Sequence, residues 1–119
     1  MTATSRPIYY HNPRCGTSRN GMDLLKARGI DARIRLYLDE PLTEAELRAL
    51  LAKLRMKPSQ LIRRKEEDFA AMGLDGADEE TILRAMVTHP KLIERPILEI
   101  GDKAALGRPV SNLAELLDA

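Results

Sequence analysis

Residues 7–38, PIYYHNPRCGTSRNGMDLLKARGIDARIRLYL, carry three hydrophobic patterns in succession, and their order leaves few folds open. PIYY (7–10) is a short β-prone run closed by the breaker pair Asn12-Pro13. From about Gly16 the spacing turns helical, with Met22 and Leu25 on one face and Gly29 as the C-terminal stop. RIRLYL (33–38) then alternates Ile34, Leu36 and Leu38 against Arg33, Arg35 and Tyr37, the period of a strand. Strand, crossover helix and strand make a βαβ unit, with parallel strands and a right-handed crossover.

The next stretch reads as helices. A capping box, Thr43 to Glu46, opens one that carries Leu47, Leu50, Leu51 and Leu54 on one face, and Pro58 closes it. Short helical pieces follow around 59–64 and 66–72, the second stopped by Gly73. Asp78, with Glu79 and Glu80 in the first turn, caps a helix bearing Ile82, Leu83, Met86 and Val87, and His89-Pro90 terminates it. PILEI (96–100) and a strand near 103–107 flank Gly101-Asp102, a hairpin signal. Ser111 caps a last helix with Leu113, Leu116 and Leu117. The 119 residues therefore read as a single α/β domain, βαβ then ββα, with a helical insertion over about 43–90.

Charge and composition narrow the partners. Nineteen basic residues against 18 acidic give a net charge of +1, which argues against nucleic acid or a membrane held by bulk charge. Three Tyr and one Phe are too few for a base-stacking platform. No apolar run is long enough to span a bilayer, and MTATSRP lacks the apolar core of a signal peptide, so a cytoplasmic location is expected. The single cysteine, Cys15, excludes an internal disulfide and a cysteine-only metal site, and no metal is expected. Any redox chemistry at Cys15 must take its second thiol from another molecule.

Cys15 falls just where the first helix begins. The first N–H groups of a helix have no internal partner and point at an arriving anion. Gly16, Thr17 and Ser18 are small enough to let an oxyanion reach them, and Thr17 and Ser18 can add hydroxyl donors. The same field favours a thiolate. A helix terminus supplies roughly 0.3–1 kcal/mol, whereas one pKa unit is about 1.4 kcal/mol. The helix alone therefore leaves most of a thiol with pKa about 8.5 protonated at neutral pH, and cations must contribute the rest. His11 and Arg19, four residues either side of Cys15, are the local candidates. Among 13 Arg, Arg95 and Arg108 stand out because Pro96 and Pro109 follow them. A residue before proline is held extended, which puts a guanidinium suited to bidentate oxyanion capture on stiff backbone.

These residues resemble the glutaredoxin-dependent arsenate reductase family. HNPRCGTSRN (11–20) is similar to the family's active-site signature, and LIRRK (61–65), HP…ERPI (89–97) and GRP (107–109) follow in the family's order and spacing. The resemblance implies a thioredoxin-like fold with a helical insertion. It implies that Cys15 is the nucleophile attacking arsenate, and that Arg63, Arg95 and Arg108 bind the oxyanion. It further implies that His11 lies near the thiolate, that Ser18 is a hydroxyl donor, that Arg19 closes the motif, and that Pro96 is a cis-proline before a central strand. The implied activity is reduction of arsenate to arsenite, an arsenic-resistance function, by a monomer with no bound cofactor. Glutathione is the co-substrate and glutaredoxin the protein partner.

Three other readings share features with this one. Thioredoxin-coupled arsenate reductases need an arginine six residues after the cysteine and further cysteines; here Gly21 stands at that position and no second cysteine exists. CGTS is similar to monothiol glutaredoxins, but the HNP prefix and the arginine set argue against them. A same-fold redox-regulatory or transcription-interacting protein would lack arsenate turnover; such relatives commonly replace part of the cysteine motif or arginine set, and this chain keeps both.

Overall fold

The structure, a computed structural model, describes residues 6–119. Four strands and six helices follow in the order β1 (Ile8–Tyr10), α1 (Gly16–Ala27), β2 (Arg33–Arg35), α2 (Glu44–Leu54), α3 (Pro58–Leu61), α4 (Glu67–Ala71), α5 (Glu79–Thr88), β3 (Ile97–Ile100), β4 (Lys103–Leu106) and α6 (Ser111–Asp118). They fall into two compact units. One takes in the chain up to Tyr37 and from Arg95 to Ala119; the other is Leu38–Glu94.

The first unit is built on a mixed sheet in the order β2-β1-β3-β4. β1 pairs with β2 in parallel and with β3 antiparallel, and β3 forms a hairpin with β4 around Gly101 (φ 59°). Tyr9 lies opposite Leu98 in the β1–β3 ladder, so both side chains project from the same face. There they pack with Leu25 of α1 and Leu113 of α6 into a fully closed core. Fully burying a side chain of this kind stabilises by roughly 1.5–3 kcal/mol, and Met22 and Leu24 of α1 and Leu116 and Leu117 of α6 add to the contacts that hold both helices against the sheet. Tyr10 projects from the other face, where its hydroxyl donates to Glu99 Oε1 at 2.6 Å.

β2 is shorter than its sequence pattern predicts, three residues rather than six, and its apolar residues are not its buried ones. Ile34, Leu36 and Leu38 are 39%, 38% and 40% exposed, whereas Arg35 and Tyr37 are buried. β2 is a sheet edge, and although Ile34 is in register with Tyr9, the covering helices centre on β1 and β3. After Arg35 the chain enters a turn, so period-two alternation no longer decides which side chain is covered.

In the second unit Thr43 Oγ1 accepts from Glu46 N–H and the Glu46 carboxylate accepts from Thr43 N–H, the reciprocal box expected at the start of α2. Leu47, Leu50 and Leu51 of α2, Leu61 of α3, and Ile82, Leu83 and Met86 of α5 are buried, with α5 packing on both α2 and α3. α2 stops before Pro58 is reached: Arg55 adopts a left-handed conformation (φ 57°) as its C-cap, and Pro58 instead opens α3. Asp78 caps α5 by accepting from Thr81 N–H at 2.8 Å. Among the described residues no helix is long and apolar enough to cross a membrane.

The last helix starts differently from the expectation. Ser111 is its first residue rather than its cap, and Val110 holds the cap position in a helical conformation with no side-chain bond. The turn is tied instead by Asn112, whose Nδ2 donates to the Leu106 carbonyl at 3.0 Å.

Candidate active site

Cys15 is the N-cap of α1, in extended conformation (φ −98°, ψ 123°), between the last residue of β1 and the first helical turn. Its own N–H donates to the Asn12 carbonyl at 3.0 Å, and its carbonyl accepts from Arg19 N–H at 3.0 Å. Asn12 Oδ1 accepts from Arg14 N–H at 3.0 Å, an Asx turn that bends the chain into the helix. The first turn of α1 holds no acidic residue, so no carboxylate competes for its open amides.

Burial and three groups set the Cys15 thiol. Burial pushes it up, but the N–H of Ser18, the charge and a guanidinium N–H of Arg95, and the N–H of Thr17 outweigh burial and bring it below an ordinary thiol. Arg95 is thus the arginine that acts on Cys15. The Arg95-Pro96 and Arg108-Pro109 bonds are both cis. Pro96 is buried ahead of β3, its carbonyl accepts from Gly107 N–H at 2.8 Å, and exposed Arg108 donates from Nη1 to the Arg95 carbonyl at 3.3 Å. Gly16 and Thr17 lie towards solvent at the same helix end.

The thiol carries a pH prediction. A folded-state pKa below that of the unfolded chain means that the native protein holds a thiolate where the unfolded chain still holds a proton. The resulting stabilisation is present above the unfolded thiol pKa and is lost as pH falls through the folded one. Thiolate absorbance of the folded protein is expected to show a midpoint below about 8.5. The urea-unfolded chain should titrate higher.

Two expectations are corrected. Ser18 does not offer its hydroxyl outward: it is fully buried, and its Oγ accepts from Asn12 N–H at 3.0 Å and pairs with His11 Nδ1 at 2.7 Å. What Ser18 presents to the thiol is its backbone N–H. His11, in turn, is buried on Ser18 and stacked at 5.5 Å from the Tyr9 ring. Burial, and then the Arg19 charge, push its pKa below the ordinary histidine value, so it is neutral at pH 7 and acts as a hydrogen-bonding strut rather than a cation. Arg19 spends one guanidinium bond on the Pro13 carbonyl at 2.8 Å, bracing the turn from outside.

Arg63 belongs to the second unit. Its Nη1 donates to the Lys91 carbonyl at 3.1 Å and lies 3.4 Å from Glu66 Oε2, with Glu94 4.0 Å from Nε. Lys91 bridges the same Glu66 to Asp68. Asn12 and Tyr9 were not singled out by the sequence. The signal for Asn12 was available, an Asn two residues before Arg14 in a breaker pair; Tyr9 is signalled only indirectly, through a glycine inside α1.

A thiol on a helix N-cap, set against a mixed βαβ–ββα sheet and activated by amides and an arginine, defines a thioredoxin-like thiol protein. The chain belongs to the ArsC family, whose family model matches residues 10–116. It is 40% identical over 111 residues to an arsenate reductase of Neisseria meningitidis, covering 91% of this chain and 95% of that one. It is also 41% identical over 117 residues to the uncharacterized Escherichia coli protein YfgD, covering 96% and 98%. The solved arsenate reductase of Vibrio cholerae superposes with a TM-score of 0.86 at 34% identity, covering 91% of this chain and 95% of that one.

Proposed function

We propose that this chain reduces arsenate to arsenite, with Cys15 as nucleophile and glutathione and glutaredoxin as the sources of reducing thiols. The observation that carries the reading is the placement of Cys15 as the N-cap of α1, at a first turn that holds no acidic residue; there the N–H groups of Ser18 and Thr17 and the Arg95 guanidinium favour its thiolate. Those donors suit an oxyanion as well as a thiolate: they are the open amides of a helix end and a planar guanidinium. Similarity to relatives named arsenate reductase supplies the choice of oxyanion.

The Cys15 thiolate attacks arsenic, an S–As bond forms, and one oxygen leaves as water after taking up protons; arsenic stays pentavalent. Arg95 offsets charge on the remaining oxygens, and by family resemblance Arg63 and Arg108 join it. Glutathione displaces a second oxygen as water, supplying the thiol that this single-cysteine chain lacks. The glutaredoxin thiolate then attacks the glutathione sulfur. A disulfide forms, and the electron pair of the broken As–S bond stays on arsenic, which becomes trivalent. Water releases arsenite and returns Cys15 as a thiol. The scheme calls for no bound cofactor or metal, and its need for reduced glutathione and glutaredoxin suits a cytoplasmic protein.

The test couples arsenate to NADPH oxidation through glutathione reductase, glutathione and glutaredoxin. Oxidation should depend on arsenate and stop when either glutathione or glutaredoxin is omitted. No arsenate-dependent oxidation overturns the activity; a rate indifferent to the omissions overturns the thiol source.

A further inference from the structure

The position that is hardest to explain by folding alone is Gly21. It lies inside α1, where glycine costs about 1 kcal/mol relative to alanine. A Cβ there would overlap the Tyr9 hydroxyl and stand 3.0 Å from Tyr9 Cζ and 3.1 Å from Leu113 Cδ1. The missing side chain is therefore the passage by which the phenol reaches under α1. At its end the Tyr9 hydroxyl donates to the Ser18 carbonyl at 2.6 Å, in a fully buried setting.

That carbonyl is one end of a rigid plane. The peptide between Ser18 and Arg19 carries the Ser18 C=O and the Arg19 N–H on the same planar unit. The Arg19 N–H donates to the Cys15 carbonyl at 3.0 Å. Ser18 also supplies one of the two N–H groups acting on the thiol. The contacts with Leu25, Leu98 and Leu113 that close the core need only the ring, not the hydroxyl. Burying a hydroxyl is costly unless it is bonded, and this one has found the carbonyl that orients the nucleophile's turn.

We propose that Tyr9 is a positioning residue for Cys15: its hydroxyl, admitted by Gly21, fixes the Ser18–Arg19 peptide in the orientation at which the first turn of α1 meets the thiol. The consequence for turnover rests on the reading of Cys15 as the arsenate nucleophile. The effect on the thiol does not, so titration separates failure of this inference from failure of that reading.

Tyr9→Phe is expected to raise the thiolate midpoint by roughly 0.3–1 pH unit, the share of one hydrogen bond expressed as a pKa change. Tyr10→Phe also removes a tyrosine hydroxyl bond, a half-buried one to Glu99 on the opposite face, and leaves the midpoint in place. Gly21→Ala displaces the phenol and raises the midpoint as Tyr9→Phe does, and the double variant shifts it no further than either change alone. In turnover, Tyr9→Phe loses rate at neutral pH and regains it at alkaline pH, which a loss of fold stability would not do. An unchanged midpoint in Tyr9→Phe, or an equal shift in Tyr10→Phe, overturns the proposal. The wild-type protein gives a second measurement independent of refolding: the 13Cζ signal of Tyr9 should inflect at the Cys15 midpoint and lose that inflection in Cys15→Ser. A signal flat through the thiol titration also overturns it.

Discussion

Cys15→Ser is expected to remove arsenate-dependent NADPH oxidation, with a loss of at least about 10³-fold, in the range seen when a covalent nucleophile is deleted. The donors around residue 15 explain why serine cannot substitute. Two amides and Arg95 lower the pKa of a thiol, ordinarily about 8.5, and so raise the fraction that is ionised. An aliphatic alcohol starts so far above that value that the same donors leave it protonated. Sulfur is also the softer, more polarizable atom and the better partner for arsenic, so the first bond of the cycle is weakened even where oxygen attacks. The fold has little reason to change, because the two side chains differ in one atom and the residue caps α1 through its backbone rather than its side chain. Thermal unfolding within about 1 kcal/mol of wild type, loss of the thiolate absorbance and loss of turnover together make the expected result. A variant that keeps its rate within tenfold would falsify the role of Cys15.

The difference between local and tertiary forces explains what is legible in the sequence and what is not. Thr43–Glu46 and Asp78 were legible because a cap is an interaction between residues three apart, complete within its own segment. The βαβ and ββα order was legible because periodicity and breakers are local too. Cys15 at a helix start was legible for the same reason. The role of His11 was not. Its sequence position, four before Cys15, suggested a cation acting on the thiol, but burial beside Tyr9 makes it neutral and turns it towards Ser18. Ser18 likewise reads as a hydroxyl donor, and only the packed structure shows the hydroxyl already engaged. β2 failed on its faces: alternation marks two faces without saying which is covered, and at an edge strand Arg35 rather than Ile34 is enclosed. Arg95 was picked out by its proline, and its reach to Cys15 depends on β3 lying beside β1, a contact across some 80 residues that no local pattern encodes.

Gly107→Ala is expected to destabilise the protein by about 1–3 kcal/mol, the usual cost of forcing a methyl group into a packed core. Gly107 is buried between β4 and α6, and its N–H donates to the Pro96 carbonyl at 2.8 Å. A Cβ there would stand 2.9 Å from Pro96 Cγ, 3.0 Å from Leu113 Cγ and 3.1 Å from Leu113 Cδ1. None of these atoms is the loose end of a flexible side chain: Pro96 is a ring and Leu113 is fully buried among Tyr9, Leu25 and Leu98. Either the proline or the leucine must move. Movement of Pro96 disturbs Arg95, its neighbour, whose guanidinium acts on the thiol, so the melting temperature should fall by several degrees and the Cys15 midpoint should rise with it. Leu113→Ala gives the control. Alone it opens a cavity and costs about 2–5 kcal/mol. Combined with Gly107→Ala it gives the new methyl group room, so the double variant should lose clearly less stability than the two single losses added together. Urea titration of the four proteins measures this directly, and strict additivity would show that the Gly107 methyl group is accommodated without pressing on Leu113.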